Sequence, residues 1–512
     1  MKKLVSVFAT LLASVAFAWW DHPYITRVAW DAQPKELTAD CSDFERDELC
    51  YHTMMSDYPR MRTAGDFGYF QLWDAFMWYA RRSQTDYANG GGQDDDYARV
   101  LQAMRTETTL NAFLWAGSLF HMLEDSMSIS HVSLPGPYQG NWHALCESFA
   151  DWEKFSIGDY VAKPIPFGDD PAALRRTVNR RVEEVKSRAN DLWPDMQAII
   201  DEHGIQQKGA TKAATNERLD PYVRAFADGV AKLTADVLCT LLTARREART
   251  NRGAALEGTV SVPHEDRVNA RRSAKVYLRT ADGRPTVYET LAIGGRYAFR
   301  NLPAGTYRLH ATRLGCARAE TSVFSLTTGA VTRADVALRA ELPLGNQVWN
   351  PCGTWDLYDA GSPDRWRVKP LFNWGPLQQK YWRTSFMHVE PGWTYRCGAK
   401  VKKSVEVRFR FAEGFGGHGP AITLPLTNGV LEAETTWTNT NGFYKAKVEV
   451  VSTEPVSDLI ERAWFVPVPP KGWDGVYPQT DYVPCDNPFR QTIGIPPPKP
   501  EFWQRDIRKD PL

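Results

Sequence analysis

Three of the chain's ten histidines fall within 23 residues, interleaved with acids: His121, Asp125, His131, His143 and Glu147. Counted from His121, the offsets are +4, +10, +22 and +26. A spacing of four residues puts two side chains on one face of a helix, so His121 pairs with Asp125 and His143 with Glu147. Two such helices offer imidazoles and carboxylates together. That mixed donor set favours zinc over calcium, which takes all-oxygen shells. Singly these residues are ordinary. His121 lies on the apolar stripe of Leu110, Leu114 and Gly117 and alone reads as a core histidine; His143–Glu147 alone reads as a surface pair. Their repetition in a His-poor chain is what points to a metal.

The N-terminus adds to the set. Residues 1–18 read as an export signal, with Lys2 and Lys3, an apolar stretch from Leu4 to Val15 and an Ala16-Phe17-Ala18 cleavage motif. The expected location is therefore secreted or periplasmic. The residue directly after the cleavage point is Trp19 and not Cys, which argues against a lipid anchor. Cleavage would expose the α-amine of Trp19, with His22 three residues on. A free amine and its own carbonyl oxygen chelate a metal through a five-membered ring, and an amine pKa near 8 lets the metal displace the proton. A frayed end is the plain alternative.

These residues need rigid elements to hold them. Apolar residues recur at helical spacing over Tyr69 to Ala80, Leu110 to Met127, Ala173 to Ile200 and Tyr222 to Leu242. The charged run Ala244 to Arg252, then Gly253, reads as a helix end and linker. Beyond residue 256 the pattern alternates, with strands expected at 258–262, 275–278 and 296–299. Gly295-Arg-Tyr-Ala-Phe-Arg-Asn-Leu-Pro-Ala-Gly-Thr-Tyr-Arg-Leu309 resembles the core of carboxypeptidase-regulatory-like β-sandwiches, over about residues 256–340. Residues 345–490 form a third, strand-like region, with strands expected at 404–411 and 445–452, and residues 491–512 a Pro-rich tail. From Trp349 to Trp503 this part holds ten of the 19 Trp, most of them expected in β-sandwich cores. Exposure is expected around Trp374, Trp393 and Trp473, beside Gly and Pro.

A mature N-terminal Trp, a nearby His, then H-x-x-x-D, a further His and H-x-x-x-E in a helical domain resemble the zinc-dependent phospholipase C and single-strand nuclease superfamily, over about residues 19–250. The resemblance implies an all-α catalytic-type domain, up to three zinc ions, and hydrolysis of phosphodiesters or phosphomonoesters. It implies that His121 and Asp125 hold metal, with Asp125 bridging two ions. His131, His143 and Glu147 would form another site, and Trp19 and His22 would complete the third. Asp57, in Ser56-Asp57-Tyr58 with Arg60 beyond, matches the family's ligand and base, although before Pro59 it also reads as a turn Asp. The sequence departs from the pattern in two places. No His lies between His52 and His121, leaving Asp74 or His52 as substitutes, and Ser128-Ile-Ser-His131 replaces the usual Q-P-x-H.

The expected architecture is thus multidomain, an all-α N-terminal domain followed by two β-sandwich-like domains. The expected function is an exported zinc-dependent phosphodiesterase of phospholipase C type, acting on phospholipid at a membrane surface. The alternatives are a nuclease acting on single-stranded nucleic acid, or a catalytically degenerate, zinc-stabilised surface-binding protein. Glu147 leans towards phospholipase, and Ser-Asp-x-x-Arg around Asp57 towards nuclease. Lys+Arg and Asp+Glu are 61 each, which argues against a chain whose main business is coating nucleic acid or an anionic membrane by bulk charge. No motif asks for a nucleotide cofactor, and no G-x-S-x-G supports a serine hydrolase. Eight Cys in an exported chain suggest disulfides, with Cys41 and Cys50 near enough for a local loop.

Overall fold

The computed structural model describes residues 22–53, 94–128, 155–203, 211–251, 253–261, 274–292, 295–313, 315–348, 350–354, 366–370, 380–384, 387–389, 392–412, 420–426, 429–441, 445–468 and 470–472. Helices precede strands, and the change of compact unit falls at Gly253. The described helices are α1 (His22–Asp31), α2 (Lys35–Thr38), α3 (Asp43–Thr53), α4 (Asp94–Thr106), α5 (Thr109–Met127), α6 (Pro171–His203) and α7 (Thr211–Thr250). None is long and apolar enough to cross a membrane.

Helix α5 organises this unit. Thr108 caps its start by accepting the Asn111 N–H at 3.3 Å. Its buried residues include Phe113, Trp115, Leu119, Phe120, Met122 and Leu123, spread around the helix, so α5 is enclosed by its neighbours. Helix α3 starts with a capping box: Ser42 Oγ accepts the Glu45 N–H at 3.2 Å, and Glu45 accepts the Ser42 N–H at 2.8 Å. The periodicity placed a helix after Pro221, whereas α7 runs straight through it. Proline removes one ladder bond. Here buried Leu219 and Val223, with an Asp220–Arg224 ion pair at 2.6 Å, keep the flanking turns together.

An extended strap, residues 155–170, lies across α7. Asp236 of α7 accepts from Tyr160 Oη at 2.8 Å and from the Lys163 N–H at 2.9 Å, and pairs with Arg181 of α6 at 2.7 Å. Thr240 accepts the Ile165 N–H at 2.8 Å. Otherwise orphaned loop amides thereby find partners on a helix side.

The strands form two sandwich-like layers in succession. The first comprises β1 (Ala254–Ser261), β2 (Ala274–Thr280), β3 (Pro285–Ala292), β4 (Arg296–Leu302), β5 (Gly305–Thr312) and six short strands, β6 (Cys316–Ala317), β7 (Ala319–Glu320), β8 (Phe324–Leu326), β9 (Val331–Arg333), β10 (Val336–Ala337) and β11 (Arg339–Ala340). One main sheet runs β10-β1-β4 and a second β3-β2-β5-β7, while β11 pairs with β6 in a two-stranded sheet. Leu256, Val276, Tyr297, Phe299, Leu309 and Ala311 share the core between them. The Asn-Leu-Pro-Ala-Gly turn joins β4 to β5, with Asn301 left-handed at φ 53°. Gly258 has no substitute: a Cβ there would stand 1.8 Å from the Ala334 carbonyl oxygen.

The second comprises β12 (Trp366–Pro370), β13 (Lys380–Thr384), β14 (Met387–His388), β15 (Thr394–Val401), β16 (Glu406–Ala412), β17 (Ala421–Thr423), β18 (Glu432–Thr438), β19 (Lys445–Val451), a short helix α8 (Val456–Leu459) and β20 (Ile460–Val468). Sheets β12-β13-β19-β16-β17 and β18-β15-β20 enclose Trp366, Tyr395, Phe409, Phe411, Val448 and Phe465. Tyr395 stacks on Phe465 at 4.6 Å and 9°.

The Trp residues described here are mostly buried. Trp366, Trp382, Trp393 and Trp464 are buried. Three indoles donate: Trp366 to the Asn350 carbonyl at 2.9 Å, Trp382 to the Glu454 carbonyl at 2.6 Å and Trp464 to Glu434 at 2.7 Å. The expected exposure of Trp393 is corrected. Gly392 beside it turns at positive φ and puts the ring inside, where it joins the core cluster. Trp374 and Trp473 lie outside the described residues.

The disulfide expectation is also corrected among the described residues, where no disulfide forms. Cys41, Cys50, Cys239, Cys352 and Cys397 are thiols. Cys50 is sealed in the core, and burial pushes its thiol far above the ordinary range, while Cys41 stays half-buried. The export signal and the Tyr69 to Ala80 helix lie outside the described residues.

Candidate metal centre

Helix α5 is buried almost all round, yet it carries two consecutive acids, Glu124 and Asp125, with His121 one turn before them. Ionised groups there need partners, since an unpaired buried carboxylate costs several kcal/mol or more. The partners come from α1 and α7. His22, the first residue of α1, inserts its ring beside His121, centroids 4.3 Å apart and tilted by 47°.

The two imidazoles meet Asp125 from different sides. His22 Nε2 is 3.1 Å from Oδ1, and His121 Nε2 is 3.3 Å from Oδ2. Ligand atoms of His22, His121 and Asp125 all lie within 4.8 Å of one another. Their relative exposures are 0%, 3% and 2%, which decides that the cluster belongs to the interior.

Glu124 turns away from this cluster and holds the other side of His22. Its Oε2 is 2.6 Å from His22 Nδ1. Its Oε1 accepts from Thr26 of α1 at 3.1 Å and from Thr234 of α7 at 3.4 Å. The sequence reading missed Glu124. The available signal was the pair of adjacent acids in a helix that is apolar on every face, where each acid must find a separate partner.

Electrostatics follow from this crowding. Burial alone would depress the His22 pKa, but hydrogen bonds and charge from Asp125 and Glu124 outweigh it and raise the pKa well above the usual imidazole range. Burial raises the Glu124 pKa, against the opposing pull of His22 and Thr26. The pocket wants a cation. A proton on His22 satisfies it, and a divalent ion that took two nitrogens and a carboxylate would do so in its place.

The donor set fits zinc: two imidazole nitrogens, a carboxylate offering both oxygens, and an outer carboxylate on the far nitrogen of one imidazole. Of the residues expected from sequence, His22, His121 and Asp125 are brought together across nearly a hundred residues of chain. Trp19, Asp57, His131, His143 and Glu147 lie outside the described residues, as does Asp74; of His52 only the backbone, in α3, is described.

Residues 255–339 match the sequence model of the carboxypeptidase regulatory-like domain. The first sandwich is therefore a domain of that kind, as the Gly295 to Leu309 segment implied. No curated protein matched the chain. Among solved structures, a type II cohesin–X-dockerin complex from Acetivibrio cellulolyticus, an N-terminal interface mutant, is similar at 14% identity over 22% of this chain and 65% of that one. Its TM-score is 0.16, too low to carry an argument.

Proposed function

We propose that the helical unit is a zinc-dependent phosphoric diester hydrolase of phospholipase C type, exported to the periplasm or beyond, with phospholipid at a membrane surface as its substrate. The observation that carries this reading is the convergence of His22, His121 and Asp125, with Asp125 presenting one oxygen to each imidazole. A carboxylate oriented in that way suits a bridging ligand. On this reading His22, His121 and Asp125 hold metal together with Trp19, Asp57, His131, His143 and Glu147, and Asp57 also serves as base.

Bound zinc would supply Lewis-acid stabilisation of phosphoryl charge and an acidified water. The chain's own residues do the rest. Asp125 supplies the anion that lets cations sit close together, and Glu124 fixes the His22 ring. The apolar sheath of α5 lowers the local dielectric, which strengthens every charge interaction inside. The β-modules would serve as docking or spacing units, and single-stranded nucleic acid is the alternative substrate in the same superfamily.

Burial of the three described ligands favours a second reading, a zinc-stabilised scaffold, because structural sites are closed and catalytic ones keep an open position. One experiment separates the two. Zinc per mature chain is counted alongside hydrolysis of a chromogenic choline phosphodiester and of single-stranded DNA. About three zinc ions with phosphodiester turnover supports the hydrolase. One ion and no turnover of either substrate leaves the scaffold.

A further inference from the structure

Glu124 makes no approach to the metal-facing atoms, yet it is completely buried and every oxygen is committed. Thr26 and Thr234 are both hydroxyl donors to Oε1. That leaves Oε2, at 2.6 Å, to accept the Nδ1–H of His22. A neutral imidazole carries one N–H, so a proton held on Nδ1 leaves the lone pair on Nε2. Nε2 is the atom that faces Asp125, at 3.1 Å.

We infer that Glu124 is a positioning residue that selects the Nδ1–H tautomer of His22 and thereby presents Nε2 as a metal ligand. The role rests on the proposed metal site and adds to it a specific outer residue. The two threonines give the arrangement its polarity. Both hydroxyls donate to Oε1 here, so in Glu124→Gln an amide oxygen left at that place keeps their hydrogen bonds, whereas the flipped amide would require both hydroxyls to turn round and accept. The amide NH2 then points at His22 Nδ1 and donates to it. The ring must place its own proton on Nε2, the wrong nitrogen for a metal. Gln has the same shape and is uncharged, so the variant reverses one hydrogen bond without opening a cavity.

The test uses the full mature chain stripped of metal, with zinc as the probe at neutral pH. Zinc affinity is measured by competition with a chromophoric chelator, and the His22 tautomer by ring 15N chemical shifts in histidine-labelled, zinc-loaded protein. The expected result is Nδ1–H with zinc on Nε2 in the unaltered protein, and a roughly 10–100-fold loss of affinity in Glu124→Gln. Adding Thr26→Val and Thr234→Val to Glu124→Gln frees the amide to flip and should recover part of that affinity. A merely structural role for Glu124 would not give this rescue. Zinc bound by the unaltered protein with equal affinity in Glu124→Gln overturns the role of Glu124 alone. Zinc failing to bind the unaltered protein overturns the metal site and this role with it. Should Glu124→Gln fold poorly, the tautomer in the unaltered, zinc-loaded protein decides: an Nε2–H on His22 refutes the inference.

Discussion

His22 and His121 share Asp125, each facing a different carboxylate oxygen, at 3.1 and 3.3 Å. The sharing ties the first residue of α1 to the C-terminal turns of α5, so the start of α1 is held by the same group that would bridge metal ions.

Asp125→Asn keeps the shape and removes the charge. Two cations near one another without that anion repel strongly in a buried site. The variant should lose at least one zinc, and hydrolysis of a soluble phosphodiester should fall roughly a thousandfold, the scale seen when transition-state charge stabilisation is removed. Metal content by atomic emission and a steady-state rate check both halves; unchanged values would make Asp125 an ordinary buried acid.

Asp236 holds the 155–170 strap through Tyr160, the Lys163 N–H and Arg181. Asp236→Ala leaves a loop amide and a hydroxyl without acceptors and a guanidinium without its counter-ion. The expected cost is about 2–3 kcal/mol, softened because Arg181 can rehydrate. Urea unfolding followed by far-UV circular dichroism reads it, and a shift below half a kcal/mol would show that the strap is held by packing instead.

Gly398 of β15 faces Trp464 of β20 directly in register. A Cβ at Gly398 would lie 2.1 Å from the indole Cε2, and Glu434 anchors the ring from the other side while forming a bidentate pair with Arg396 at 2.9 Å. Gly398→Ala must displace the ring and should cost about 1–3 kcal/mol. Adding Trp464→Leu makes room and should return part of the loss, which thermal unfolding of single and double variants would show. Additive losses would argue against this contact as the cause.

His310 of β5 is buried 3.4 Å from Glu320, and its pKa is lowered to about 4. Burial is the main cause. The Glu320 charge opposes it, and the guanidiniums of Arg318, Arg279 and Arg308 add to it. A group whose folded pKa is depressed below its unfolded value of about 6.5 takes up a proton more readily when unfolded. Its stabilising effect is therefore complete above pH 6.5 and is lost as pH falls towards 4. The first sandwich should lose about 1–3 kcal/mol over that window from this group. His310→Gln should flatten the pH dependence of its melting midpoint, and an equally steep profile in the variant would rule His310 out.

Part of this architecture is legible in the sequence for local reasons. His121–Asp125 is a four-residue helical spacing, and periodicity alone places both on one face. The Gly295 to Leu309 segment carries turn chemistry, with Asn301 left-handed where the chain reverses, so the first sandwich is readable too. The partnership of His22 with Glu124 spans 102 residues and depends on how α1 packs against α5, which no local pattern encodes. Gly and Pro neighbours do not by themselves expose Trp393. Gly392 instead supplies the turn that puts the ring inside. Among the described residues the cysteines form no disulfide: an even count says nothing of depth, and Cys50 is sealed in the helical core.

Zinc-edge anomalous scattering from crystals of the mature chain soaked in zinc tests the metal centre most directly. A peak within bonding distance of His22 Nε2, His121 Nε2 and an oxygen of Asp125 is expected. Zinc peaks elsewhere, with none at these three side chains, would contradict it.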